Sequence, residues 1–118
     1  MMLHQDLDVW QVSMEFVSDI YKATECFPNS ERFGLVQQIS RAAVSIPSNI
    51  AEGSARKNLR EFIQFLYYSL GSSAELETQL ELSRNLGYLK NSMDLNVKLK
   101  RIGSMIINLI KALKKNCQ

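Results

Sequence analysis

A chain of 118 residues, 46% hydrophobic and 22% charged, has ordinary globular composition and the length for one domain around one core, with no room for a second. Its net charge of +2 is too small to argue for any partner, but residues 1–55 hold three bases against seven acids, and residues 56–118 hold eleven bases against five acids. No stretch approaches the roughly 18 apolar residues of a membrane span, and MMLHQDLD lacks the basic-then-apolar order of a signal peptide, so no membrane is implied and the expected location is the cytoplasm.

The first helix is expected over residues 6–26. Asp6 is a good N-cap, and Leu7, Trp10, Met14, Val17 and Tyr21 follow at 3,4,3,4 spacing as a core-facing stripe. Phe27-Pro28-Asn29-Ser30 is turn chemistry, with Asn29 or Ser30 capping a second helix over 30–53 that Gly53 would end as a left-handed C-cap. Inside it, Pro47 removes one backbone hydrogen bond and clashes with the Ala43 carbonyl, which predicts a kink or a split. Asn58 and Glu61 have capping-box spacing and open a third helix over 58–86, with Leu59, Phe62, Leu66, Leu76 and Leu80 on one stripe. Gly71 lies within that helix at a cost of about 1 kcal/mol relative to alanine, so a close backbone neighbour is expected there. Asn91 and Asp94 open the fourth, over 91–115, where Leu95, Leu99, Ile102, Ile106, Leu109 and Leu113 repeat at 4,3,4,3,4. Met105 and Ile110 widen that stripe, and Ile107 lies outside it. The pattern predicts an all-α chain, four helices in one domain over residues 1–118.

The most informative stretch is LVQQISRAAVSIPSNIAEG, Leu35 to Gly53. Between Leu35 and Ala51 its only ionisable residue is Arg41, although a surface helix normally keeps a charged face toward water. Leu35, Ile39, Ala42, Ile46 and Ile50 form an apolar stripe. Beside it Gln38, Arg41, Ser45, Asn49 and Glu52 form a polar one, which is either a network fixing register between helices or subunits, or a ligand or nucleic-acid groove. In the first case Arg41 would pair with an acid, such as Glu52 of a neighbour or Glu75. The remaining face carries Gln37, Ser40, Val44, Pro47 and Ser48, small or neutral residues suited to contact with another chain. With Ile107 of the last helix, Ser40, Val44, Pro47 and Ser48 are the candidate oligomer interface.

The run QQISRAAVSIPSNIAEG, preceded by FPNSERFGL and followed by GSSAELETQLELSRNLGY, resembles the four-helix-bundle proteins encoded by 23S rRNA intervening sequences. The similarity extends from Leu7 and Trp10 to the last Leu/Ile/Lys helix. It implies an antiparallel up-down-up-down four-helix bundle that assembles as a homopentamer. A related branch, the accessory protein of diversity-generating retroelements, binds a reverse transcriptase and nucleic acid and is more basic than this chain.

Catalytic chemistry has little to build on. His4 is the only histidine and has no partner at ligand spacing. Nucleophile motifs, phosphate loops and dinucleotide fingerprints are absent. Glu75 and Glu77 point about 200° apart, and no Glu-x-x-His follows them or Glu81. No enzyme activity, cofactor, metal or small-molecule substrate is implied. Cys26 and Cys117 would lie at opposite ends of a bundle, too far apart for a disulfide. One end of such a bundle would gather Arg56, Lys57 and Arg60 with Lys111, Lys114 and Lys115, diluted by Asp6, Asp8, Glu52 and Glu61. These six cations are either a solvated helix end or, repeated around a ring, a candidate contact for RNA or DNA.

Overall fold

The computed structural model describes residues 3–90 and 93–116. Four α-helices account for most of them: α1 (Asp8–Thr24), α2 (Leu35–Ser54), α3 (Leu59–Asn85) and α4 (Met93–Lys115). Short 3₁₀ turns at His4–Asp6 and Asn29–Glu31 precede α1 and α2, and no strand occurs among the described residues. The helices pack around a closed circuit. α2 and α3 share the largest interface, α1 packs on α2 and on α4, and α3 packs on α4, while the diagonal pairs are not backbone neighbours. Along α2 and α3 the contacts run in opposite senses. Gly53 meets Phe62 and Phe65, Ser69 Oγ donates to the Ile46 carbonyl at 2.7 Å, and the hydroxyls of Ser45 and Ser72 are 2.8 Å apart. The molecule measures 48 × 23 × 19 Å.

One apolar cluster fills the interior, with Phe16, Ile20, Ile39, Ile46, Ile50, Leu66, Leu76, Leu80, Ile102 and Ile106 almost fully buried. Hydroxyls within it bond to backbone carbonyls of the preceding turn, as Ser13 does to Trp10 and Ser83 to Gln79, so their burial leaves no orphan. The core face of α1 is Val9, Ser13, Phe16, Ile20 and Thr24, one position away from the anticipated stripe. Leu7 is buried, but Trp10 and Val17 are only half-buried, and Met14 and Tyr21 are exposed. Two rows of helical spacing compete on α1, 3,4,3,4 against 4,3,4,4, and the one containing serine and threonine is inside.

The helix ends depart from the sequence expectations in instructive ways. Asp6 belongs to the 3₁₀ turn, Leu7 occupies the N-cap position of α1, and no side chain caps it. Neither Asn29 nor Ser30 caps α2; the Glu31 carboxylate accepts from the Leu35 N–H at 3.3 Å instead. Asn58 does cap α3, accepting from the Glu61 N–H at 2.9 Å, with its amide donating to the Glu61 carboxylate at 3.0 Å. Asp94 lies in the first turn of α4, and the role expected of Asn91 falls outside the described residues. α2 continues unsplit through Pro47.

Two glycines have other roles than anticipated. Gly53 is not a left-handed cap but a buried residue inside α2, where a Cβ would lie 2.7 Å from Phe65 Cβ and 3.0 Å from Phe62 Cδ1. Gly71, expected at a tight crossing, is exposed, and a Cβ there would meet nothing within 4 Å. The left-handed stop is Gly87, at φ 79°, where the N–H groups of Gly87 and Tyr88 return to the carbonyls of Arg84 and Ser83 and close α3 in a Schellman motif.

Candidate functional site

Three surfaces carry the residues singled out above. The first is the seam between α1 and α2. Pro47 is buried within the chain, stacked one turn after buried Ala43, because α1 covers that side of α2; it does not lie on a free outer face. Ser48 and Val44 are exposed and Ser40 is half-buried. Trp10, Met14 and Val17 join Val44, Pro47, Ser48 and Ala51 around an almost wholly apolar groove of about 360 Å³, with His4 at its edge packed edge-on against Trp10. A second hollow continues it past Tyr21, Gln37, Ser40 and Arg41. Met14, Tyr21 and Val44 are 44%, 51% and 40% exposed, so three large apolar side chains line one seam open to water. Ile107, 41% exposed, is on α4, which lies diagonally opposite α2. Met14 and Tyr21 were hidden in the sequence by being assigned inward. The signal that would have found them is the second row of helical spacing, Val9-Ser13-Phe16-Ile20-Thr24.

The second surface is the polar stripe of α2, of which the structure joins only part. Asn49 Nδ2 donates to the carbonyl and hydroxyl oxygens of Ser45, each at 2.9 Å, and Ser45 meets Ser72 of α3. This half-buried link crosses the α2–α3 interface. Gln38 and Arg41 are exposed and outside it, and Arg41 pairs with neither Glu52 nor Glu75 of its own chain. Glu52 takes Arg56 instead, at 2.7 Å.

The third is the basic end. Arg56, Lys57, Arg60, Lys111, Lys114 and Lys115 are all exposed. Two of them lie on aromatic rings of α3: the Arg56 guanidinium is 4.5 Å from the Phe65 centroid, and Lys114 Nζ is 5.4 Å from that of Tyr67 while donating to its hydroxyl at 2.9 Å. Phe65 and Tyr68 pack edge to face at 5.3 Å. These aromatics were absent from the sequence reading, since Phe65-Leu66-Tyr67-Tyr68 reads as one apolar run until α3 is placed.

At the other end, an open groove of about 770 Å³ is lined by Lys22, Cys26, Tyr88, Lys90, Asp94 and Lys98 among others. Lys98 donates to Asp19 across α1 and α4 at 2.8 Å, and that bond, reinforced by the Asp19 charge, raises the Lys98 pKa above its ordinary value. Tyr88 donates to Glu31 at 3.1 Å, and this bond, with burial and the Glu31 charge, pushes the phenol up from its ordinary 10.0. Cys26 is a free, exposed thiol. Among the described residues no three His, Cys, Asp or Glu side chains gather as a metal site, and no helix is long and apolar enough to cross a membrane.

The geometry is that of packing and contact surfaces, and the comparisons agree with the fold. A crystal structure from Bacteroides thetaiotaomicron, described as a protein of unknown function from the S23 ribosomal protein family, superposes with a TM-score of 0.80 at 28% identity, covering 87% of this chain and 95% of that one. No curated protein matches. The family described as 23S rRNA-intervening sequence protein matches residues 5–108, the four helices and their connections up to the last turns of α4, and the chain belongs to that family.

Proposed function

We propose that this protein is a non-enzymatic, self-associating helical bundle that acts as a scaffold or adaptor. Its four helices run antiparallel, up-down-up-down, as one domain, with α2 bent at Pro47 where a backbone hydrogen bond is lost. The opposed contacts along α2 and α3, and the circuit of neighbouring helices, support that topology. The observation that carries association is the α1–α2 seam, where Met14, Tyr21 and Val44 stand in water around an apolar groove. Ile107 offers apolar surface on the helix diagonal to α2, and two unlike patches suit a head-to-tail ring. The number five, for a homopentamer, comes from the family resemblance, and a cytoplasmic location is part of the same proposal.

Light scattering at tens of micromolar tests the association. Val44→Glu and Met14→Glu each place a charge in the groove, and each is expected to dissociate the oligomer while circular dichroism stays unchanged. A monomeric wild type would sink the proposal. An oligomer that survives both substitutions would move the contact to another face.

A second reading has the six cations of the basic end contacting RNA or DNA, each subunit of a ring adding its own set. It is favoured by their exposure on one end, and among the described residues Arg56 alone of the six is engaged in an ion pair. Absorbance at 260 nm that accompanies the purified protein and leaves it at high salt is its expected mark.

A further inference from the structure

The outer side of the first turns of α3 combines rings, cations and open backbone. Tyr67 and Tyr68 are 43% and 50% exposed on adjacent positions. Lys114 arrives from α4 on one side, at the Tyr67 hydroxyl, and Arg56 from the α2–α3 connection on the other, over the Phe65 ring. The helical period sets exposed Arg60 and Gln64 on this same outer face before the tyrosines, and Gly71 one turn after Tyr67 and Tyr68. At Gly71 nothing within 4 Å would oppose a Cβ, so the helix backbone itself is open to an approaching molecule. Nearby acids are largely engaged: Glu52 holds Arg56, Glu61 holds the Asn58 cap, and Glu75 accepts from Gln79 at the far end of the strip.

We propose that this strip binds single-stranded nucleic acid, with bases stacking on Tyr67 and Tyr68 and phosphates meeting Arg60, Lys111 and Lys114. The inference rests on the basic-end reading and names its partner. Cations alone would serve a duplex, whose bases are stacked and whose backbone is what a basic patch meets. Exposed flat rings add binding energy when bases are unstacked, and they accept every base because each has a π-face. An acidic polypeptide would match the charge but not the rings, because the electron-rich ring face repels a carboxylate. From Arg60 to Gly71 the strip is about 16 Å long, enough for a short run of bases.

Fluorescence anisotropy with a labelled oligouridine of about 20 nucleotides, and with a mixed-sequence duplex of equal length, tests this at roughly 50 and 200 mM salt. The single strand is expected to bind more tightly than the duplex, and more weakly at the higher salt. Tyr67→Ala and Tyr68→Ala should each weaken it by about tenfold, while Tyr68→Phe, which keeps the ring, should bind as the wild type does. Arg60→Gln and Lys114→Gln should lower the salt dependence, and Lys90→Gln at the opposite end should change nothing. Equal binding of both forms, sensitive to the cation substitutions but not to the tyrosines, would overturn the stacking inference and leave the basic-end reading in place. No binding of either form would remove both. Displacement of the oligouridine by polyglutamate as readily as by unlabelled oligouridine would overturn it in favour of an acidic protein partner.

Discussion

A methyl group added at Gly53 would collide with the Cβ of Phe65 and the ring of Phe62, and the first of these is anchored to backbone that cannot rotate away. Gly53→Ala should therefore destabilise the protein by about 1–3 kcal/mol in urea unfolding, through overpacking of the α2–α3 contact. Gly71→Ala should do the opposite, adding about 1 kcal/mol, since the new side chain enters open space and removes the backbone entropy that a helical glycine forfeits. Reversed signs would mean that the approach of α2 and α3 is looser at Gly53 than the structure has it. Neither role could be read from the sequence. A glycine at a helix end and a glycine in a helix middle suggest a cap and a crossing by position alone, whereas the deciding quantity is the distance to a neighbour that only packing supplies.

At the scale of the elements, the connections are pinned by polar bonds that titrate only in strong alkali. Tyr88, just after the turn that ends α3, donates to Glu31, which also accepts from the first N–H of α2; Lys98 ties α4 to α1 through Asp19. Both pKa values are raised on folding, so both contributions are whole below 10.0 and 10.5, the unperturbed values, and are lost as the pH rises through the higher folded values. The melting temperature should accordingly fall as the pH is raised above 10.0, and less steeply in Tyr88→Phe and Lys98→Met. Equal slopes in wild type and both variants would show that these links carry no pH-dependent stability. Helix identity was legible because four amphipathic periods and the Asn58–Glu61 pair are local signals. The inward face of α1 was not, because Ser13 and Thr24 donate to the Trp10 and Tyr21 carbonyls of the preceding turn and pass inside as easily as the apolar row beside them.

For the whole molecule, the same row explains why the seam between α1 and α2 exposes more apolar surface than the sequence suggested. Apolar residues beyond what the core consumes must face water in a monomer, and α1 contributes Met14 and Tyr21 to the side where α2 contributes Val44. If the groove closes on a second copy, stability becomes dependent on concentration. The melting temperature should then rise with protein concentration for the wild type and not for Val44→Glu. The basic end was legible as a count of lysines and arginines, which need no fold to be seen. The rings beneath them were not, because whether a tyrosine in an apolar run faces core or solvent depends on which neighbours its helix acquires.

The closed circuit of helices also sets an order of events. α2 and α3 meet through the four-residue connection Ala55 to Asn58 and share the largest interface, so their contacts are cheap in chain entropy. The circuit is closed by α1 on α4, whose Asp19–Lys98 bond joins residues 79 apart in sequence. Assembly through an α2–α3 hairpin with α1 docking late is the sequence of steps this connectivity favours. Ile46→Val and Leu66→Ala should then slow refolding in stopped-flow experiments, whereas Phe16→Leu on α1 should chiefly speed unfolding. The reverse partition would place the nucleus on the long-range pair. A late-docking α1 would leave the apolar side of α2 uncovered during folding, including Pro47 and Ala43, in the interval when a second copy of α1 could occupy the site first. Exchange of this helix between subunits is thus the misassembly to which the architecture is most exposed.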